Sequence, residues 1–156
     1  MKIVIDSREQ LPLDFSRWDD VTVEMAGLPV GDYALRGIET KAAIERKSID
    51  DLVGSLSSGR ERFEAELMKA RGYDLFVIVV EASMDDVAQH RYRSKMLPAS
   101  VLQSLFTYQA RYGAPTLWAG SREGAAYAVK SLLDKFLREH VEGLKAILKA
   151  HDDVAA

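Results

Sequence analysis

Four short features of this sequence carry side chains suited to one kind of chemistry. Asp6 closes the β-rich run Lys2-Ile3-Val4-Ile5, Asp32 follows the glycine-containing turn 27–31, Glu45-Arg46-Lys47 ends a second β-rich run, and Asp51 stands in the first turn of a predicted helix. Carboxylate oxygens suit hard divalent cations, and an ammonium group beside them steadies a phosphate or an attacking water. The set fits hydrolysis of a phosphodiester. Glu45 and Lys47 are two apart on a strand and leave the same face, whereas Arg46 takes the other face unless the strand is bulged. Asp32, on a neighbouring strand, is placed to supply a bridging carboxylate. Alone, a Glu-x-Lys pair is ordinarily a surface salt bridge and a first-turn Asp is ordinarily a helix cap. The four features together point to a site.

The elements that must position these residues follow from local pattern. Lys2 to Ile5 reads as a strand, Val21 to Met25 as an exposed alternating strand, and Asp32 to Leu35 as a third. Gly37 marks a turn, and 38–47 reads as the returning strand. Ser48 predicts an N-cap with Asp50 and Asp51 in the first turn of a helix running to about Leu56. Ser57-Ser58-Gly59 breaks it, and Glu61 to Arg71 reads as a second helix with Phe63, Leu67 and Ala70 on one face. Leu75 to Val80 is apolar throughout, as a strand buried on both sides would be. Ser83 predicts a short helix from Met84, residues 90–98 read as a loop, and Pro98 opens a helix to Tyr112. Thr116 to Ala119 reads as a last strand. Residues 125–149 form a long amphipathic helix with Val129, Leu132, Leu133, Phe136, Leu144 and Leu148 at helical spacing. Strands alternating with helices imply one α/β domain over 1–150, a mixed central sheet flanked by helices, with 151–156 a frayed tail. Sheets of this kind bind ligands at their strand ends, where these carboxylates fall.

Bulk properties narrow the function further. With 156 residues, 47% hydrophobic and 29% charged, the chain is long enough to bury a core. It has no cysteine, which removes disulfides and thiolate metal sites. Its three histidines, His90, His140 and His151, are scattered, with no zinc-like spacing. It has no apolar run of roughly 18 residues and no signal-like start, so a cytoplasmic location without a membrane role is expected. The net charge of −3 argues against a nonspecific polyanion binder. Its distribution is uneven: from Val87 to Arg122 there is no acidic residue, while Arg91, Arg93, Lys95, Arg111 and Arg122 all fall there.

Beyond these readings, Gly31-Asp32, then Ile44-Glu45-Arg46-Lys47-Ser48-Ile49-Asp50-Asp51-Leu52-Val53-Gly54-Ser55-Leu56, then Ser58-Gly59-Arg60, closely resembles the nuclease signature of the XPF family. That signature is GD, a variable stretch, ERK, three residues and D. The segment Ile5-Asp6-Ser7-Arg8-Glu9 is similar to the family's D-x-R-E segment. The resemblance covers residues 3–80; beyond them only the general order of strands and helices is shared. It departs at Glu64, where family members often carry glutamine.

The resemblance implies a restriction-endonuclease-like (PD-(D/E)XK) fold and Mg²⁺- or Mn²⁺-dependent cleavage of branched, flap or junction DNA. Asp6, Asp32, Glu45 and Glu9 are then the metal-binding carboxylates. Lys47 steadies the attacking water or the developing charge, and Arg46 and Asp51 complete the catalytic unit. Arg8 and Arg60 would reach phosphates. It also implies a stand-alone nuclease core similar to compact bacterial or mobile-element versions, a homodimer, and a helicase or DNA-binding partner that supplies specificity. Two other readings share the pattern: a catalytically inactive DNA-binding or scaffolding partner, and a duplex-specific PD-(D/E)XK nuclease. The retained Asp32, Glu45, Lys47 and Asp51 favour an active enzyme. In the acid-free stretch, Arg91, Arg93 and Lys95 are expected on DNA phosphates with Tyr92 free to stack on an unpaired base. Phe106 and Trp118 are expected in the core.

Overall fold

The computed structural model describes residues 1–151; the expected tail at 152–156 lies outside the described residues. Its elements are β1 (Lys2–Asp6), β2 (Thr22–Ala26), β3 (Tyr33–Leu35), β4 (Ala42–Lys47), α1 (Ile49–Leu56), α2 (Arg60–Ala70), β5 (Leu75–Val80), α3 (Met84–Ala88), α4 (Pro98–Tyr112), β6 (Thr116–Trp118) and α5 (Arg122–His151). The return strand is shorter than expected. Residues 38–41 form a turn instead, closed by Lys41 N–H and Ala42 N–H donating to Ile38 O, so pairing begins only at Ala42.

All six strands join one sheet in the order β2-β1-β3-β4-β5-β6. β3 alone runs antiparallel to its two neighbours, β1 and β4, while the β1–β2, β4–β5 and β5–β6 pairs are parallel. The C-terminal ends of β1, β4 and β5 therefore meet the N-terminal end of β3 at one edge of the sheet. Asp6, Asp32, Glu45 to Lys47 and Glu81 all fall along that edge.

Side-chain alternation divides the sheet into two faces. Ala43, Phe76, Ile78 and Val80 pack with Leu52, Val53, Leu56, Phe63, Leu67, Val101, Leu105 and Tyr108 from α1, α2 and α4. On the opposite face Ile3, Ile5, Tyr33, Ala42, Ile44, Val77 and Val79 pack with Leu13, Phe15 and the Ala125, Val129, Leu133 stripe of α5. β5 is buried from Phe76 onward, as its unbroken apolar run requires. β2, at the sheet edge, leaves Val23 and Met25 exposed.

α5 outruns the sheet it covers. Val129 and Leu133 are buried, but Leu144 and Leu148, at the same helical spacing, are each 57% exposed. Phe106 also departs from expectation: it lies on the outer side of α4 and is 53% exposed, whereas Trp118 packs partly buried against the α1/α2/α4 core. Helical periodicity places Phe106 on a face but does not reveal where the neighbouring element ends. Among the described residues no helix is long and apolar enough to cross a membrane.

Candidate active site

A cleft of about 840 Å³ opens at the carboxylate-bearing edge. Asp32, Glu45 and Lys47 lie on its floor. Arg8, Glu9, Gln10 and Leu11 border one side; Asp50, Asp51, Gly54, Gly59, Arg62 and Glu66, from α1, α2 and the turn between them, border the other.

Asp32 reaches the floor because of the glycine before it. Gly31 has φ +73°, and a Cβ there would stand 3.0 Å from Ile44 O and 3.1 Å from Ala43 Cβ. Only glycine lets the chain turn this tightly onto β4. Asp32 N–H then donates to Ile44 O (2.8 Å), and its carboxylate accepts from Arg46 N–H (2.8 Å), fixing it opposite Glu45. Gly31 N–H also donates to Glu66 (3.2 Å).

Glu45 and Lys47 leave the same face of β4, and their charged ends meet at 2.7 Å. The Lys47 ammonium stands 4.7 Å over the Phe63 ring, which walls it from solvent. Glu45 is only 5% exposed. Burial first, then the nearby Asp32 charge, raises its pKa, with Lys47 pulling the other way. Burial likewise raises Asp32, against the Arg46 backbone bond, while the Glu9 charge adds to the rise. Two adjoining carboxylates in a poorly solvated floor disfavour simultaneous ionisation.

Arg46 points to the other face of the sheet. Its guanidinium clasps Glu9 (2.9 and 3.0 Å) and reaches Glu81 (3.1 Å). Glu81 in turn accepts from Arg122 (3.0 Å), which also donates to Leu11 O and Pro12 O. One charged network thus ties the ends of β4 and β5 to the loop after β1 and the start of α5.

Two of the four expected metal-binding carboxylates are engaged elsewhere. Asp6 is 2% exposed, and its oxygens accept from Arg8 N–H (2.7 Å), the Arg8 guanidinium (2.8 and 2.7 Å) and Leu28 N–H (2.9 Å). The Arg8 guanidinium foremost, with these backbone donors, holds its pKa at about 2. Asp6 organises a turn, and it does not line the cleft. Glu9 borders the cleft, but its carboxylate is occupied by Arg46 and by Leu11 N–H (2.9 Å). Asp32 and Glu45 remain. Among the described residues no three His, Asp or Glu side chains stand together as a set that could hold an ion.

The expected DNA contacts are also redistributed. Arg60 turns from the cleft toward α4, donating to Ser104 (3.2 Å), Leu56 O and Glu64 (3.0 Å). Arg62, two residues on and therefore rotated around α2, lines the cleft instead, with no ion pair among the described residues. Arg8 borders the cleft while bound to Asp6, with its side chain 74% exposed. Arg91 pairs with Asp86 (2.8 Å), and Arg93 pairs with Asp50 (3.0 Å). Lys95 is exposed. Tyr92 is not free to stack on a base: it is 9% exposed, stacks on His90, and its hydroxyl donates to Met96 O. Asp51 stands in the first turn of α1, where its N–H donates to the Oγ of the N-cap Ser48 (3.2 Å) and its carboxylate accepts from that hydroxyl (2.7 Å).

Sequence reasoning missed Glu66, Arg62, Glu81 and Arg122. Glu66 had a signal: it interrupts the apolar stripe Phe63, Leu67, Ala70, where an acidic side chain is costly unless it meets a polar site.

A mixed six-stranded sheet with helices on both faces defines a restriction-endonuclease-like fold, and its strand ends carry the buried Glu45, the partly buried Asp32 and the Lys47 ammonium. A family model, the ERCC4 domain, matches residues 5–146. The chain belongs to the ERCC4 domain family. It is similar to the DNA repair endonuclease XPF of Cricetulus griseus and of Mus musculus, in each case 39% identical over 82 residues, which are 51% of this chain and 8% of the relative. XPF from Aeropyrum pernix superposes with a TM-score of 0.68 at 25% identity, over 86% of this chain and 60% of that one. The same protein in complex with DNA gives 0.68 at 26% identity, over 88% and 66%. The chain thus spans a small fraction of the curated relatives and less than two thirds of these solved chains.

Proposed function

We propose that this protein is a divalent-metal-dependent endonuclease that hydrolyses phosphodiester bonds in DNA, with branched or flap DNA as its substrate. The observation that carries the reading is the adjacency of Asp32, Glu45 and Lys47 on the floor of an open cleft. The Aeropyrum pernix relative, similar in fold, is described in complex with DNA, and the curated relatives are named as DNA repair endonucleases.

The donor set fits Mg²⁺ or Mn²⁺. It consists of oxygen atoms, and two desolvated carboxylates gain from a neutralising cation. Mg²⁺ in particular is commonly held by one or two carboxylates, with substrate phosphate and water completing its shell. Asp32 and Glu45 would hold the ion, with Glu66 nearby. When bound, it would neutralise phosphate oxygens and lower the pKa of a coordinated water.

The remaining work falls to the chain's own groups. Lys47 presents an ammonium beside Glu45, where it would meet the negative charge developing on the phosphate. Phe63 keeps water from that ammonium, which strengthens its field. The Arg46 backbone N–H holds Asp32, and the Arg46 side chain locks the β4 end from behind. Arg62 and Arg8 would seat flanking phosphates. The exposed Val141, Leu144, Ile147 and Leu148 of α5 would support pairing with a second copy, and a helicase partner would guide the pair to its substrate.

The test is cleavage of labelled flap, fork, Holliday-junction, single-stranded and plain duplex DNA with Mg²⁺, Mn²⁺ or EDTA. Metal-dependent cutting of the branched substrates is expected. Binding without cutting points to a scaffolding protein, and equal cutting of plain duplex removes the branched-DNA preference.

A further inference from the structure

One apolar side chain at the cleft mouth has no packing role. Leu11 lines the cleft and is 66% exposed. A lone exposed leucine is ordinary on a protein surface. This one differs in how firmly its backbone is held. Its N–H donates to Glu9 (2.9 Å), a carboxylate itself clasped by Arg46. Its carbonyl accepts from Arg122 (2.7 Å), and so does the carbonyl of Pro12 (2.6 Å). The next residue, Leu13, is buried, with its N–H donating to the Tyr33 hydroxyl (2.9 Å). Proline at position 12 fixes one further backbone angle. A loop tip this constrained presents its side chain to the cleft at little cost in ordering when something packs against it.

The opposite side of the cleft complements it. Gly54, Ser55, Ser58 and Gly59 are small, and Arg62 adds a cation. The cleft therefore has a rigid apolar prong on one side and a low, phosphate-seeking side across the floor. DNA-bending proteins use apolar side chains as wedges between base steps, and such insertion is cheapest where stacking is already broken.

We infer that Leu11 is a specificity-determining wedge that packs against the base pair at a branch or nick in DNA, so that the cleft selects substrates with interrupted stacking. The inference rests on the DNA-cleaving reading above. It makes the Glu9–Arg46–Glu81–Arg122 network the mount of the wedge, which gives the arginine of the signature a task on the side of the sheet away from the floor.

The test uses the full chain and forked DNA carrying 2-aminopurine at the base beside the branch, with plain duplex as control. The native protein is expected to raise the fluorescence of the fork and leave the duplex unchanged. Leu11→Ser is expected to lose most of that rise and to lower the ratio of fork to single-strand cleavage about tenfold, the equivalent of about 1.4 kcal/mol, with an unchanged melting temperature. Leu11→Phe is expected to keep both. A Leu11→Ser protein that retains the rise, or that loses cleavage of all substrates in proportion, overturns the wedge. A native protein that unstacks the fork without cutting it leaves the wedge standing and removes the nuclease reading. One that cuts without a fluorescence response does the reverse, and absence of any DNA binding removes both.

Discussion

Glu45 and Arg46 are neighbours in the chain, yet the two faces of the sheet give them opposite circumstances. On the α1/α2 face, Glu45 and Asp32 are short of compensating charge: between them they have Lys47 and one backbone N–H. On the α5 face, Arg46 meets Glu9 and Glu81, Glu81 meets Arg122, and each carboxylate has a guanidinium partner. Buried charge that is fully paired holds a structure together; buried charge left underpaired beside a cleft is available to a ligand. The proposed chemistry is assigned to the face whose charges are less fully paired.

Breaking each face in turn sharpens the contrast. The largest effect is expected on the open face: Asp32→Ala and Lys47→Ala should each lower metal-dependent cleavage by about 10²–10³-fold or more, with thermal melting within a few degrees of the native protein. Full activity in either variant sinks the assigned roles. On the closed face, Arg46→Ala leaves Glu9 without its guanidinium partner and Glu81 with Arg122 alone, and should cost about 3 kcal/mol of stability in urea unfolding. An Arg46→Ala protein as stable as the native one shows that the network is incidental.

The pH response should also separate the underpaired floor from the fully paired Asp6. Asp32 and Glu45 bind their protons more tightly folded than unfolded, chiefly because they are buried. Their contribution is thus greatest in acid and is lost as pH rises from about 4, where carboxyls ionise in an unfolded chain, through neutrality. In EDTA the melting temperature should therefore be higher near pH 5.5 than near pH 8, and Glu45→Gln should flatten that slope and stabilise the protein at pH 8. Asp6 has the opposite sign: held at about 2 by Arg8, it stabilises above about pH 4 and is lost as pH falls through 2. A melting curve that rises from pH 5.5 to 8 contradicts the underpaired floor. The smallest effect belongs to the two arginines of α2. Arg62→Ala should weaken DNA binding severalfold and reduce the salt slope by about one, whereas Arg60→Ala should leave affinity unchanged. Equal losses would return Arg60 to the interface.

Much of this arrangement is local in origin and was legible in the residues. Strand alternation alone separates Glu45 and Lys47 from Arg46; Ser48 and the paired aspartates start α1; the apolar run 75–80 makes a strand with both faces covered. The fold and its family resemblance follow from such short-range signals taken in order. The allocation of partners was not legible, because it depends on contacts far along the chain. Asp6 and Asp32 look alike in sequence, each beside a strand end, but Arg8 and Leu28 N–H, the latter 22 residues away, saturate one and not the other. Glu9 is withdrawn by Arg46 across 37 positions, and Leu11 is mounted by Arg122 across 111. Side-chain direction is fixed by the backbone within a few residues, so the sequence determined which groups share a face. Pairing and exposure depend on which elements meet at the sheet edge, so only the tertiary structure decided which of those groups the cleft keeps free.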